Sequence, residues 1–195
     1  MSGQLIDSTE LLVAAPRRGA RLFSVALGAA VVAAAAQVAV PVPFSPVPWT
    51  LQPVAVLVVG GLLGMRGGAA ALTLYLAAGL AGLPVFANVP GLPQGVARLA
   101  GPTGGYLLAF PVAALVAGAI ATHTERPGVL RVLVACAAGM TIIHLGGAAQ
   151  LAALTGDLPS TWKLGLVPFL TGDLLKIGLA ATAILVGGKP LRSLL

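Results

Sequence analysis

Charged side chains are scarce in this sequence: they make up 8% of its 195 residues, and only five of them are acidic. Soluble globular domains carry about 25% charged residues. Hydrophobic residues make up 58% of the chain, and the mean hydropathy is +1.01. This composition excludes an ordinary soluble domain and indicates a single integral membrane domain over residues 1–195.

Cysteine and histidine are also rare, with one cysteine, Cys136, and two histidines. A single cysteine excludes an intramolecular disulfide, and no CxxC, HExxH or P-loop pattern occurs. We expect His144, inside an apolar segment, to be a hydrogen-bonded residue of the bundle and not a metal ligand. Because nucleophile–base pairs and multi-carboxylate sets are lacking as well, the sequence predicts no enzyme, no metal site and no cofactor.

Aromatic residues make up only 5% of the chain, whereas glycine occurs 26 times. Small residues let helices approach closely in lipid. The net charge of +6 is spread over short connectors and forms no basic patch, so we expect no nucleic-acid partner. The predicted fold is an all-α membrane protein, a compact bundle of about six transmembrane helices with structured extracellular loops, embedded in the lipid bilayer.

Six apolar segments define this prediction, at residues 22–40, 51–65, 69–83, 106–121, 129–151 and 164–188. The second and third are short for a hydrocarbon core that needs about 20 helical residues, and a single hairpin or re-entrant element is an alternative. With six spans, most basic residues fall on one side. The positive-inside rule then predicts a multi-pass protein of the cell (inner or cytoplasmic) membrane, with both termini and the N-terminal segment 1–20 in the cytoplasm.

Two connectors on the outer side contain unusual sequence. Residues 41–50 are too rich in proline for a helix. Residues 84–105 contain Asn88 and Arg98 among prolines, glycines and apolar residues. Because long ordered loops are usually functional, we expect residues 84–105 to form a packed outer lid.

Two charges open the last apolar segment, Asp173 and Lys176, whose spacing places them on one face of a helix. Charges inside a membrane span usually pair and mark a ligand or ion path, although a purely structural ion pair is the alternative. The predicted six-span topology places further polar and aromatic residues at the outer end of the bundle, where Asp173 and Lys176 lie. We predict that these residues form a small-ligand site. These candidates are Asp173, Lys176, Asn88, Arg98, Tyr106, Phe86, Trp49 and Gln52. A flat apolar carboxylic acid with an amide-like head would suit such a site.

Four stretches resemble the BioY family, the biotin-specific substrate-binding (S) components of energy-coupling-factor (ECF) transporters. They read VPVPFSPVPWTLQ (residues 40–52), AGLPVF (81–86), GPTGGYL (101–107) and FLTGDLLK (169–176). The resemblance implies biotin contacts from Asp173, Lys176, Asn88 and Arg98, and leaves open whether Arg98 or Lys176 meets the carboxylate. Gln150 stands where the family often has tryptophan, which affects the expected shape of one pocket wall.

The same resemblance implies the partners of the protein. High-affinity biotin uptake would require a transmembrane coupling (T) component and cytoplasmic ATPase subunits, with Ala26, Ala30 and Ala34 of the first helix as a docking surface. Two alternatives remain: an S component for a different vitamin, or a self-sufficient secondary transporter. The second is disfavoured because few polar residues line the other spans and no inverted repeat is evident.

Overall fold

The computed structural model describes residues 8–124 and 127–192, with side chains over residues 18–124 and 127–188. Its elements, in chain order, are α1 (Ser8–Gln37), β1 (Ala39–Val40), β2 (Trp49–Thr50), α2 (Gln52–Leu80), α3 (Ala97–Ala100), α4 (Gly104–Ala121), α5 (Val129–Thr155), α6 (Leu158–Gly165) and α7 (Leu170–Arg192). Five of these helices are long and apolar enough to cross a membrane: α1, α2, α4, α5 and α7. The predicted class, a helical bundle in the membrane, is confirmed.

The second helix, α2, folds back on itself at Gly64. Gly64 has φ +75° and ψ −179°, a backbone conformation that interrupts the helix and that glycine adopts without strain. Gln52 Nε2, near the start of α2, donates a hydrogen bond of 2.7 Å to the hydroxyl of Tyr75. In a straight helix these residues would lie about 34 Å apart. The α2 hairpin therefore has two arms, residues 52–63 and 65–80. These arms correspond to the second and third predicted segments, at residues 51–65 and 69–83.

Glycine lets the α2 hairpin pack backbone to backbone against α4. A Cβ added to Gly60 would lie 2.5 Å from the carbonyl oxygen of Ala114, and one added to Gly68 would lie 2.7 Å from the Cα of Gly60. A Cβ on Gly118 would meet the Gly60 oxygen at 2.7 Å. These approaches leave no space for a methyl group, so the close packing requires glycine at these positions.

The sequence predicts one span at residues 164–188, but the structure has a break within this segment. A short helix, α6, ends at Gly165, and α7 begins only at Leu170. The start of α6 is capped by Asp157, whose carboxylate accepts a hydrogen bond of 3.0 Å from the backbone N–H of Ser160. Pro168 lies between the two helices and has no N–H to donate, so a continuous helix is not favoured there.

The bundle has two chemically different ends. We call the end that contains Gln52 and Tyr75 the site end, and the end that contains Gly64 the turn end. At the turn end, Arg21 of α1 and Arg66 of the α2 hairpin line one groove together with Leu63. At the site end, β1 and β2 pair antiparallel, with Ala39 opposite Thr50 and Val40 opposite Trp49.

Hydrogen bonds tie the connecting segments of the site end together. The Ser45 hydroxyl donates to the carbonyl oxygen of Leu164 at 2.6 Å. The Tyr106 hydroxyl, on α4, donates to the carbonyl oxygen of Gly165 at 2.7 Å. The loop before β2 and the end of α6 are therefore anchored over the same region of the bundle.

Candidate ligand-binding site

Asp173 and Lys176 lie in the first turns of α7 and form an ion pair. Lys176 Nζ donates to Asp173 Oδ1 at 3.0 Å, as their spacing of three residues predicts. Lys176 is 2% exposed and Asp173 is 5% exposed. Both charges are therefore buried inside the bundle and do not face lipid.

His144 of α5 joins this pair. Its Nε2 lies 2.5 Å from Asp173 Oδ2, so each carboxylate oxygen of Asp173 has one partner. The imidazole lies near the rings of Tyr106 and Phe169, at centroid distances of 6.3 and 6.4 Å. The sequence-based site did not include His144. The only signal in the sequence is a polar residue within an apolar span, which does not reveal its partner 29 positions away.

Trp49 of β2 contacts the other side of the lysine. The Lys176 ammonium lies 4.5 Å from the Trp49 ring centroid, a cation–π distance. The indole packs against α7 at Gly172, where an added Cβ would lie 2.7 Å from the Trp49 ring nitrogen. Lys176 is thus held between a carboxylate and an aromatic ring.

Arg98 is carried by the short helix α3 and is 2% exposed. Its Nη2 donates to the carbonyl oxygen of Ala87, whereas its Nη1 is buried without a hydrogen-bond partner. In the part of the chain that the structure describes, the ion pairs involve Asp173 only, so no carboxylate neutralises Arg98. Burial lowers the pKa of the Arg98 guanidinium from its ordinary value, yet arginine retains its charge in proteins.

These side chains surround one cavity at the site end, with about 590 Å³ of space free of protein atoms, including space open to solvent. The lining residues are Val47, Pro48, Thr50, Gln52, Pro53, Ala87, Arg98, Thr103, Tyr106, Leu107, Phe110, Ile143, His144, Phe169, Asp173 and Lys176. Seven of these sixteen residues are polar or charged, so the wall of the cavity combines apolar surface with hydrogen-bonding groups.

Three polar atoms of the lining residues are buried without a partner among the described residues: Arg98 Nη1, Thr103 Oγ1 and His144 Nδ1. Most buried polar groups in proteins are hydrogen-bonded, so each exception calls for an explanation, such as a functional role or a bound water or ion. All three atoms belong to residues that line the one cavity.

The structure brings five of the eight predicted site residues to the cavity wall: Gln52, Arg98, Tyr106, Asp173 and Lys176. Trp49 lies behind the wall, against Lys176. Phe86 is fully buried in the core, edge-on to Tyr75 at 5.6 Å. Asn88 is exposed on the loop and does not line the cavity. Ligand contact by any of the eight stays a prediction.

The fold and the site together define a multi-span helical membrane protein with a cavity at one end that apolar and charged residues line together. Residues 10–192 match the model of the BioY family, which covers nearly the whole chain. The chain belongs to the BioY family.

Two relatives illustrate the similarity. The chain is 37% identical over 165 residues to a probable biotin transporter BioY of Pyrococcus horikoshii, covering 85% of this chain and 92% of the relative. It is 39% identical over 140 residues to the biotin transporter BioY of Thermotoga maritima, covering 72% and 80%. These relatives are named as transporters, in agreement with the expectation that the chain is not an enzyme.

A solved structure shares the fold. The crystal structure of the S-component for biotin from an ECF-type ABC transporter superposes with a TM-score of 0.68 at 23% sequence identity, covering 92% of each chain. At this sequence identity, the similarity shows that the two proteins share a helical-bundle fold.

Proposed function

We propose that this chain is the S component of an ECF-type importer and that it captures biotin in the cavity at the site end. The observation that carries this proposal is the buried, unneutralised Arg98, whose free donor belongs to the same cavity as the Asp173–Lys176–His144 cluster. The transporter names of the relatives and the biotin S-component with the same fold support the choice of ligand.

The charge of the cavity favours a monoanion. Among its lining residues, Arg98 and Lys176 are cationic and Asp173 is anionic, so these three side chains leave one positive charge in excess. A buried charge without a partner is unfavourable, so a ligand with one carboxylate completes the site. Biotin has one carboxylate, on its valerate chain.

The ion pairs indicate which cation meets that carboxylate. Lys176 already bonds to Asp173 and stacks on Trp49, whereas Arg98 has a free N–H and no anionic partner. Guanidinium groups bind carboxylates with strong charge-assisted hydrogen bonds. We therefore assign the carboxylate to Arg98, which the sequence left undecided.

The ureido head of biotin suits the other polar groups. Its two N–H groups need acceptors, and each oxygen of Asp173 keeps a free lone pair after bonding to Lys176 or His144. Its carbonyl oxygen needs a donor, which Thr103 Oγ1 can supply. The rings of Tyr106 and Phe169 offer apolar surface for the fused ring system.

Residues 84–105 act as the lid in this proposal. Phe86 anchors the lid, because Gly79 of the α2 hairpin leaves room for its ring: a Cβ there would lie 2.1 Å from the Phe86 ring. Arg98 ties two parts of the lid together through the Ala87 carbonyl. Asn88 contacts biotin only if the lid changes conformation, since its side chain is exposed here.

The lid and cavity face the outside of the cell membrane in this proposal, and both termini are cytoplasmic. Its support is the position of Arg21 and Arg66 at the turn end, because basic residues favour the cytoplasmic side. On α1, Ala26, Ala30 and Ala34 are exposed, while Ala29 and Ala36 of the same helix are buried in the bundle. We assign the exposed alanine surface to the coupling T component, which connects the chain to the cytoplasmic ATPases.

Calorimetric titration of the detergent-purified chain with biotin, thiamine and riboflavin tests the proposed function. We expect tight binding of biotin alone. Arg98→Met should weaken biotin binding about 30-fold or more, the typical loss for a truncated buried charge pair, and Arg66→Met should change it little. Biotin methyl ester should bind wild type and Arg98→Met with similar affinity. Preference for thiamine or riboflavin, or no biotin binding, would refute the proposal.

A further inference from the structure

Gln150 of α5 is distant in sequence from the lid but bonds to it twice. Its Nε2 donates to the carbonyl oxygen of Leu99 at 2.6 Å and to that of Gly101 at 2.7 Å. Both acceptors are oxygens, so both N–H groups of the amide are used and its orientation is fixed. Gln150 is not among the residues that line the cavity.

The two acceptors lie just after Arg98 in the chain. Arg98 belongs to α3, and the backbone N–H of Gly101 bonds to the Arg98 carbonyl at 3.2 Å. The Gly101 carbonyl also accepts from the backbone N–H of Gly104 at 3.1 Å. The Leu99 carbonyl lies in the last turn of α3, where carbonyls have no partner within the helix and need an external donor. Gln150 supplies that donor from a membrane span.

Glycine at the start of α4 makes the approach of Gln150 possible. A Cβ added to Gly104 would lie 2.7 Å from Gln150 Nε2, and one added to Gly105 would lie 2.7 Å from Gln150 Cβ. The Gly105 position also contacts the carbonyl oxygen of Gly146, where the added Cβ would lie at 2.2 Å. The amide is therefore enclosed between α4 and α5, next to the turn that carries Arg98.

We infer that Gln150 is the positioning residue for Arg98: it fixes α3 to α5 so that the guanidinium stays buried at the cavity wall. Among the described residues, the other hydrogen bonds of α3 lie within the lid, such as that from Arg98 to the Ala87 carbonyl, and Leu99 packs against the core of the bundle. The inference deepens the proposed function, and its ligand-dependent part rests on that function.

The ligand-independent test is limited digestion with trypsin, which cleaves after arginine. Arg98 is 2% exposed, so cleavage there requires α3 to leave the bundle. Gln150→Met, which keeps the length of the side chain but removes both donors, should raise the initial rate of cleavage at Arg98 about tenfold. Gln37→Met is the matched control, because Gln37 is exposed and bonds only within α1. An unchanged rate at Arg98 would overturn the inference.

The ligand-dependent test is a double-mutant cycle with Arg98→Met, read by biotin titration. Gln150→Met alone should weaken binding about tenfold, and it should have little further effect once Arg98 is replaced. Equal losses with and without Arg98 would contradict a role through Arg98. Failure of wild type to bind biotin would refute the proposed function, while the trypsin result would still decide the role of Gln150.

Discussion

Replacing Asp173 with asparagine tests the buried charge cluster most directly. The carboxylate contacts the Lys176 ammonium at 3.0 Å and the His144 imidazole at 2.5 Å. At 3.0 Å, with an effective dielectric constant near 20, two unit charges attract by about 5 to 6 kcal/mol. Asp173→Asn removes this attraction and leaves Lys176, which is 2% exposed, as an unpaired buried cation.

We expect Asp173→Asn to lower the stability of the ligand-free protein by about 3–5 kcal/mol, the usual cost of removing one partner of a buried pair. For a chain of this size the melting temperature should fall by roughly 10 °C. Lys176→Met should cost less, because Asp173 keeps His144 as a partner. The double variant should be more stable than the sum of the single losses predicts, by at least about 2 kcal/mol.

The assay is thermal unfolding in detergent without ligand, since a ligand that binds the native state would add its own stabilisation. Asp157→Asn is the matched control, because Asp157 is exposed at the start of α6 and asparagine also caps helices. Additive losses from Asp173→Asn and Lys176→Met, or an Asp173→Asn effect no larger than that of Asp157→Asn, would refute the reasoning.

Three further variants test the lid, the orientation and the docking surface. Gly79→Ala should destabilise the protein by about 1–3 kcal/mol in thermal unfolding, since the added methyl would overlap the Phe86 ring. Asn88→Cys should react with a membrane-impermeant thiol reagent in intact cells, because the exposed lid faces outward in our proposal. Ala30→Trp should abolish biotin uptake in cells that express the complete transporter, while titration of the purified chain still detects binding.

Each of these variants has a control. Gly178→Ala should have little effect, because no atom lies within 4 Å of the added Cβ. Cys136 is fully buried, so wild type should not react with the thiol reagent, and Arg66→Cys should react only in permeabilised cells. Leu108→Trp, at an exposed position on α4, should leave uptake intact. Labelling of Arg66→Cys but not Asn88→Cys in intact cells would reverse the proposed orientation.

Local spacing was sufficient to predict the Asp173–Lys176 pair, because residues three apart on a helix lie on one face. It was not sufficient to find His144, whose contact with Asp173 depends on how α5 packs against α7. Phe86 shows the same limit: an aromatic residue in a loop predicts burial, but only the packing against Gly79 and Tyr75 reveals that it lies in the core and not on the cavity wall.

The membrane spans show how far the amino-acid composition predicts the fold. The short second and third apolar segments made a hairpin one of the alternatives, but the position of the turn depends on the φ of +75° at Gly64. The apolar run after residue 164 predicted one long helix. Hydropathy does not distinguish the short helix α6 from the start of a span, and the capping by Asp157 and the break at Pro168 decide the boundary.

The segments that close the site are held by side chains that donate to main-chain carbonyl oxygens. The donors are Ser45, Arg98, Tyr106 and Gln150, and the acceptors are the carbonyls of Leu164, Ala87, Gly165, Leu99 and Gly101. Every amino acid has a carbonyl oxygen, so the acceptor residue can change while the bond persists. Tolerance to substitution should therefore be asymmetric: in a saturation scan of biotin uptake, Leu99 and Leu164 should accept many replacements, and the four donors few.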